Sequence, residues 1–480
     1  MARAHIIKRP VLEVVAGGCK LGGLLSGTPL STAVLLATIG LSAAALAQRP
    51  SEGELQVLSA VLPVIEAKDW RVAEGRLIDG LREFPRSAVL SNALGIVYEQ
   101  EGQRAEAIRA YEQALEWLPG FTAAQLHLAS VYAGTGQCEK AKPLWRTAAE
   151  HTPDAAALSA SGLGLADCGD YGSAARVLTR AHDLDRSSAE TTFNLALALY
   201  KNGEFAAALT SLNDLPSGPE QERPEVLNLR GKLLAALKLP GSTSNLEHAC
   251  RAHPAEDYCN DAALQFIREE RFAGAVELLE MACKAIPSVP ATMLSTLAMA
   301  QFRLGRYHDA TETYARAIRL DPALDAAREG LAFLLYMTGD LDKARSVVEQ
   351  GLERPSTGFY LPYLRALVLY RMSDTLRTEA LKSLELALLR NPAFAPSYFL
   401  RGKIRLDQSD QPGALDDFQT AARVDSKYPL PHYKMAQIYE RQGRHDEAGR
   451  ERREFAALGS LREEELLSRQ AQSVLLRDSR

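Results

Sequence analysis

Residues 94–119 read LGIVYEQEGQRAEAIRAYEQALEWLP. Leu94, Gly95 and Tyr98 share one helical face, Gly102 interrupts the run, and Ala107, Tyr111 and Ala114 resume the same spacing before Pro119. Apolar residues three and four apart predict amphipathic helices. A glycine supplies the left-handed residue of a tight turn between two of them, and a proline stops the second. The stretch therefore predicts one antiparallel helical hairpin. Moving every landmark by 34 residues lands on Leu128, Ala129, Tyr132, Gly136, Ala141, Trp145, Ala148 and Pro153.

A third strong copy runs through Leu297, Ala298, Gly305, Ala310, Tyr314, Ala317 and Pro322, with Gln301 in the tyrosine position. Sliding the frame along the chain gives twelve copies starting near residues 54, 88, 122, 155, 189, 224, 256, 291, 325, 361, 395 and 429. Eleven carry the early second-helix alanine: Ala73, Ala107, Ala141, Ala174, Ala208, Ala275, Ala310, Ala344, Ala380, Ala414 and Ala448. An alanine fits where two helices cross too closely for a larger side chain. One hairpin cannot cover its own apolar face, so neighbours must stack. The pattern Leu-Gly-x-x-Tyr, Ala-x-x-x-aromatic, Pro over residues 54–456 resembles the tetratricopeptide-repeat (TPR) family.

That resemblance implies an all-α fold, a right-handed α-solenoid of about twelve hairpins whose inner groove is lined by first helices. It places Asn92, Phe193, Tyr200, Phe302, Arg303, Phe333, Tyr336, Arg365, Phe399 and Tyr433 on the partner-binding side. Aromatic and arginine anchors suit a protein or peptide ligand in the groove. The function expected is a non-catalytic interaction scaffold; the alternative is a regulatory or substrate-recruiting subunit of an envelope enzyme or secretion complex.

The N-terminus has a different character. Arg3, Lys8, Arg9 and Lys20 make it basic, and residues 30–47, LSTAVLLATIGLSAAALA, carry no charge. Ala45 and Ala47 before Gln48 form a small-residue cleavage pattern. Residues 1–47 are read as a signal peptide, with an uncleaved membrane anchor as the alternative. The expected location is periplasmic or secreted, and membrane contact would run only through this segment.

Composition restricts the function further. The net charge of −5, from 55 basic and 60 acidic residues, calls for no nucleic acid. Gly134 and Lys140 stand at phosphate-loop distance, but Glu139 occupies the second glycine position and no Ser or Thr follows Lys140. No catalytic constellation, cofactor or metal site is expected. His248, Cys250, His253 and Cys259 lie within twelve residues, at a spacing unlike a compact zinc finger. Cys138 and Cys168 fall at the turn edge of stacked neighbours, and Cys250 and Cys259 flank a short loop; each pair is a candidate disulfide, free packed thiols being the alternative. Departures are expected in the sixth copy, where Pro216, Gly218, Pro219, Pro240 and Gly241 cluster, and in a lengthened turn at residues 372–379. Residues 457–480 are read as a capping helix over the last repeat, with a frayed tail.

Overall fold

The computed structural model describes residues 50–354, 358–459 and 463–477; the 1–47 segment and the final tail lie outside them. The described residues form an all-α TPR solenoid and include no strand. They divide into two compact units at Ser242 and Thr243.

The first unit holds hairpins α1 (Glu52–Glu66) with α2 (Trp70–Glu83), α3 (Ala88–Gln100) with α4 (Arg104–Trp117), and α5 (Thr122–Gly134) with α6 (Cys138–His151). It continues with α7 (Ala155–Asp167) and α8 (Tyr171–Leu184), α9 (Ala189–Lys201) and α10 (Phe205–Asn213), and α11 (Pro224–Ala236). After α12 (Ser242–Ala252), the second unit stacks α13 (Glu256–Arg268) with α14 (Phe272–Ala285), α15 (Ala291–Arg303) with α16 (Tyr307–Leu320), and α17 (Asp325–Thr338) with α18 (Leu341–Leu352). Then come α19 (Tyr360–Met372) and α20 (Arg377–Arg390), α21 (Ala395–Asp407) and α22 (Gln411–Val424), α23 (Pro429–Arg441) and α24 (His445–Leu458), and last α25 (Glu463–Arg477).

Local chemistry starts these helices. Ser51 and Glu54 cap α1 reciprocally, and Asp69, Ser87, Asp154, Asp170, Ser188, Asp340 and Asp410 each accept from a first-turn amide. The turn inside a hairpin needs one left-handed residue, as at Gly102 (φ 78°). Where the sequence offers no glycine, Lys68, Lys238, Glu270 and Ser409 adopt positive φ instead. The hairpin of α19 and α20 replaces this turn with a 3-10 segment, Asp374–Leu376. The approach to the sixth copy is irregular too: α10, which ends the fifth copy, is short, and a 3-10 turn, Pro219–Glu222, precedes α11.

All eleven landmark alanines have no exposed surface. Six glycines act similarly on facing aromatics. A Cβ on Gly164 would lie 2.2 Å from Trp145, and one on Gly330 would lie 2.3 Å from Tyr314, so only a bare backbone lets these rings seat. Ala310→Leu is expected to cost about 1–3 kcal/mol by overpacking the α15–α16 crossing. A lowered urea midpoint of the second unit, followed by far-UV circular dichroism, checks this; an unmoved midpoint would show that the crossing has slack.

Candidate functional site

In each unit the second helices pack mainly on first helices, and neighbouring first helices also touch one another: α3 on α5 and α5 on α7 in the first unit, α13 on α15 and α15 on α17 in the second. First helices thus form the inner side of the stack, and this is the surface to search for a site.

In the first unit that surface is largely closed. Asn92 is fully buried with neither side-chain amide atom hydrogen-bonded. Phe193 belongs to the apolar core. Tyr200 is half-buried against Phe205, with the Lys201 ammonium 5.9 Å from its ring. The same unit holds a partly buried polar cluster. The Tyr111 hydroxyl donates to Glu99 Oε2 at 2.8 Å, and the His127 ring stacks on Tyr111 with its Nδ1 4.0 Å from the same carboxylate oxygen. Burial raises the Glu99 carboxyl above its usual range, against the Tyr111 hydrogen bond, and pushes His127 down to about 4.

The second unit carries a different feature: α25, from the segment read as a cap over the last repeat, also reaches across the stack. It lies against α17, a first helix in the middle of the stack. Leu467, Ala471 and Val474 bury one stripe in the cluster that holds Ala332, Phe333, Tyr363 and Leu367. Leu466 packs toward the cluster of Phe399, Met435 and Tyr439. Polar contacts fix both ends. Lys403 Nζ donates to Glu463 Oε1 at 2.8 Å, and Gln472 Nε2 donates to the Ile267 carbonyl at 3.3 Å. Gln470 acts on Tyr428, whose hydroxyl burial pushes far up. The physical reason is area: a single hairpin offers α25 one shallow edge, whereas several first helices together bury the whole stripe.

The residues expected on the partner-binding side therefore divide. Phe302 stands edge-on to Phe333 at 5.8 Å, and both line a gap closed by Ser468, Ala471 and Gln472 of α25. Arg303 is half-buried, its guanidinium 4.5 Å over the Phe272 ring; burial lowers its pKa, and its Nη1 has no hydrogen-bond partner. Tyr336 stacks on Phe333, with the Arg371 guanidinium 5.0 Å from the centre of the Tyr336 ring. Phe399 is core, between Phe418 and Tyr428. Tyr433 is 43% exposed beside Phe455. Arg365 does not belong with them. It donates to Ser383 Oγ at 2.9 Å and Glu379 Oε2 at 3.1 Å on α20, and lies 3.8 Å from Glu349 on α18. Carboxylates on the second helices draw it away from the inner face. The residues of this site that sequence reasoning did not single out are Lys403 and Lys434.

Cys138 is bonded to Cys168, and Cys250 to Cys259, with Cα separations of 5.5 and 4.7 Å. The second bond takes two of the four residues of the histidine–cysteine cluster. Among the described residues, Cys283 is a free thiol, no group of three or more His, Cys, Asp or Glu is placed to hold a metal ion, and no helix is long and apolar enough to cross a membrane.

A family model described as Tetratricopeptide repeat matches residues 98–162, 165–233 and 301–356, and a second, TPR repeat, matches 402–443. No curated protein matches the chain. Among solved structures, yeast Tom70 is similar at 16% identity over 77% of this chain and 92% of its own, with a TM-score of 0.41. The APC/C hetero-tetramer Cut9–Hcn1 is similar at 13% identity over 91% and 97%, TM-score 0.42. Pseudomonas aeruginosa pilF is similar at 18% identity over 46% and 98%, TM-score 0.36.

Proposed function

This chain belongs to the tetratricopeptide-repeat family, and from that premise we propose that it is an exported, non-catalytic scaffold that binds protein partners on the first-helix face of its second unit. The observation that carries the reading is the seating of α25 there: the face already holds a helix by an apolar stripe and terminal polar contacts. Aromatic anchors flanked by cations, such as Phe302 with Arg303 and Tyr336 with Arg371, are the side chains that dominate protein interfaces.

Export is supported by the basic and apolar order of the first 47 residues and by the two disulfides, since such bonds persist in oxidising compartments. The mature chain is expected to begin near Gln48 and to have lost Cys19. Denatured without reductant, it should then take one equivalent of maleimide, at Cys283, and five after reduction. N-terminal sequencing with thiol counting decides the matter; an intact Met1 on protein with six reactive thiols would overturn export.

Partner binding is tested by photo-crosslinking in the cells that make the protein. A benzophenone side chain at Tyr336 or Tyr433 is expected to give discrete protein adducts, and one at Leu389, 81% exposed on α20, none. Adducts from Leu389 alone would move the binding surface to the second helices.

A further inference from the structure

We infer that the inner face of the second unit is a receptor for an amphipathic helix, and that α25 is its resident occupant, which a partner helix must displace. The inference rests on the partner-binding reading above and names the class of ligand. Three features of the contact define that ligand.

First, Leu467, Ala471 and Val474 stand at i, i+4 and i+7, one narrow stripe of a helix, and all three are buried. The small residue sits in the middle, against the gap beside Phe302 and Phe333, so a ligand helix needs large–small–large apolar side chains at that spacing. Second, the helix begins on an acid. Glu463 meets Lys403 at 2.8 Å, and Lys434 feels both of them. Lys403 and Lys434 beside Glu463, with Asp407 as a further carboxylate acting on Lys434, favour a ligand that carries negative charge in its first turn, where the helix dipole also favours it. Third, the fit is incomplete. Arg303 keeps a buried Nη1 without a hydrogen-bond partner at the wall of the gap that Ser468 and Gln472 close. A ligand with a carboxylate in the Ser468 position would supply the missing acceptor, and a charge-assisted bond there is stronger than a neutral one. The chain's own helix compensates by being tethered, which gives it an effective concentration on the order of millimolar.

The test adds a fluorescent peptide of residues 463–477, EEELLSRQAQSVLLR, to the full chain and reads anisotropy. Wild-type protein is expected to bind it weakly. The Leu467→Asp/Val474→Asp protein, with α25 released, should bind at least tenfold tighter, and the Ser468→Glu peptide tighter still. Adding Lys403→Glu to the released protein should abolish the gain. Because two aspartates near a core carry a risk to folding, Glu463→Lys serves beside them; it breaks a partly buried pair at the start of α25 and should raise affinity several-fold. The inference is overturned if released protein with an unchanged helical signal takes up no peptide, or if wild type binds as tightly as both variants. Should the double variant unfold, Glu463→Lys alone decides, and affinity equal to wild type overturns the inference. Persistent Tyr336 adducts in cells, with no peptide uptake, would remove this inference and keep the partner-binding reading; loss of both removes both.

Discussion

Replacing Cys138 and Cys168 by serine is expected to lower the stability of the first unit by about 3–4 kcal/mol, the size of the chain-entropy term for a closed loop of this length. The bond joins residues 30 apart in sequence, from the start of α6 to the end of α7, and so ties one hairpin to the next. In a linear stack, coupling between neighbours holds the array together, so a tie at that junction opposes fraying from the N-terminal side. The three tryptophans, Trp70, Trp117 and Trp145, all lie in this unit, and their fluorescence in urea follows it selectively. With a slope of about 2 kcal/mol per molar urea, the midpoint should fall by roughly 1.5–2 M. Serines at Cys250 and Cys259, both in the second unit, should leave the tryptophan transition in place. Coincident curves for the Cys138/Cys168 variant and wild type, both unreduced, would show that the bond contributes nothing. The expected loss also bears on location, because a reducing compartment would withhold the same stability.

What the sequence disclosed follows from how local each constraint is. The repeat frame was legible because Ala107, Ala141 or Ala310 must be small wherever two helices cross, whatever surrounds them. The glycine turns were legible for the same reason. The left-handed residues at Lys68, Lys238, Glu270 and Ser409 were not, since a side chain forced into that conformation by its hairpin leaves no mark in composition. The inner-face residues were legible by helix but not by depth. Spacing assigns Phe193 and Phe399 to first helices, yet only packing shows that both are core while Phe302 and Tyr336 are partly open. Arg365 went astray because its direction is set by Glu379 and Ser383, fourteen and eighteen residues away, through contacts that no helical periodicity records. The amphipathic stripe of α25 announced that one face must be covered. It could not announce by what, because an apolar stripe fits the end of a stack and its inner face equally well.

His127 should make the first unit acid-labile. Its imidazole is enclosed, so burial holds the folded-state pKa at about 4 against 6.5 for an ordinary histidine. Between those values the unfolded chain binds a proton that the folded chain refuses. Stability therefore rises with pH through this window and is lost as pH falls from 6.5 toward 4. Full displacement of the pKa corresponds to about 3 kcal/mol. Glu99 works in the opposite sense: its carboxyl is raised by burial, so the folded state takes up that proton more readily than the unfolded one, and the loss is partly offset at the acid end. Tyr111 stays protonated throughout, held there by burial and by Glu99. His127→Gln removes only the first contribution. The variant is expected to lose less stability than wild type between pH 6.5 and 4.5 in tryptophan-monitored urea titrations, whatever its stability at neutral pH. Parallel pH profiles for the two proteins would mean that the imidazole is protonated in the folded state. In that case Glu99 Oε2, 4.0 Å from Nδ1, would be the carboxylate that pairs with it.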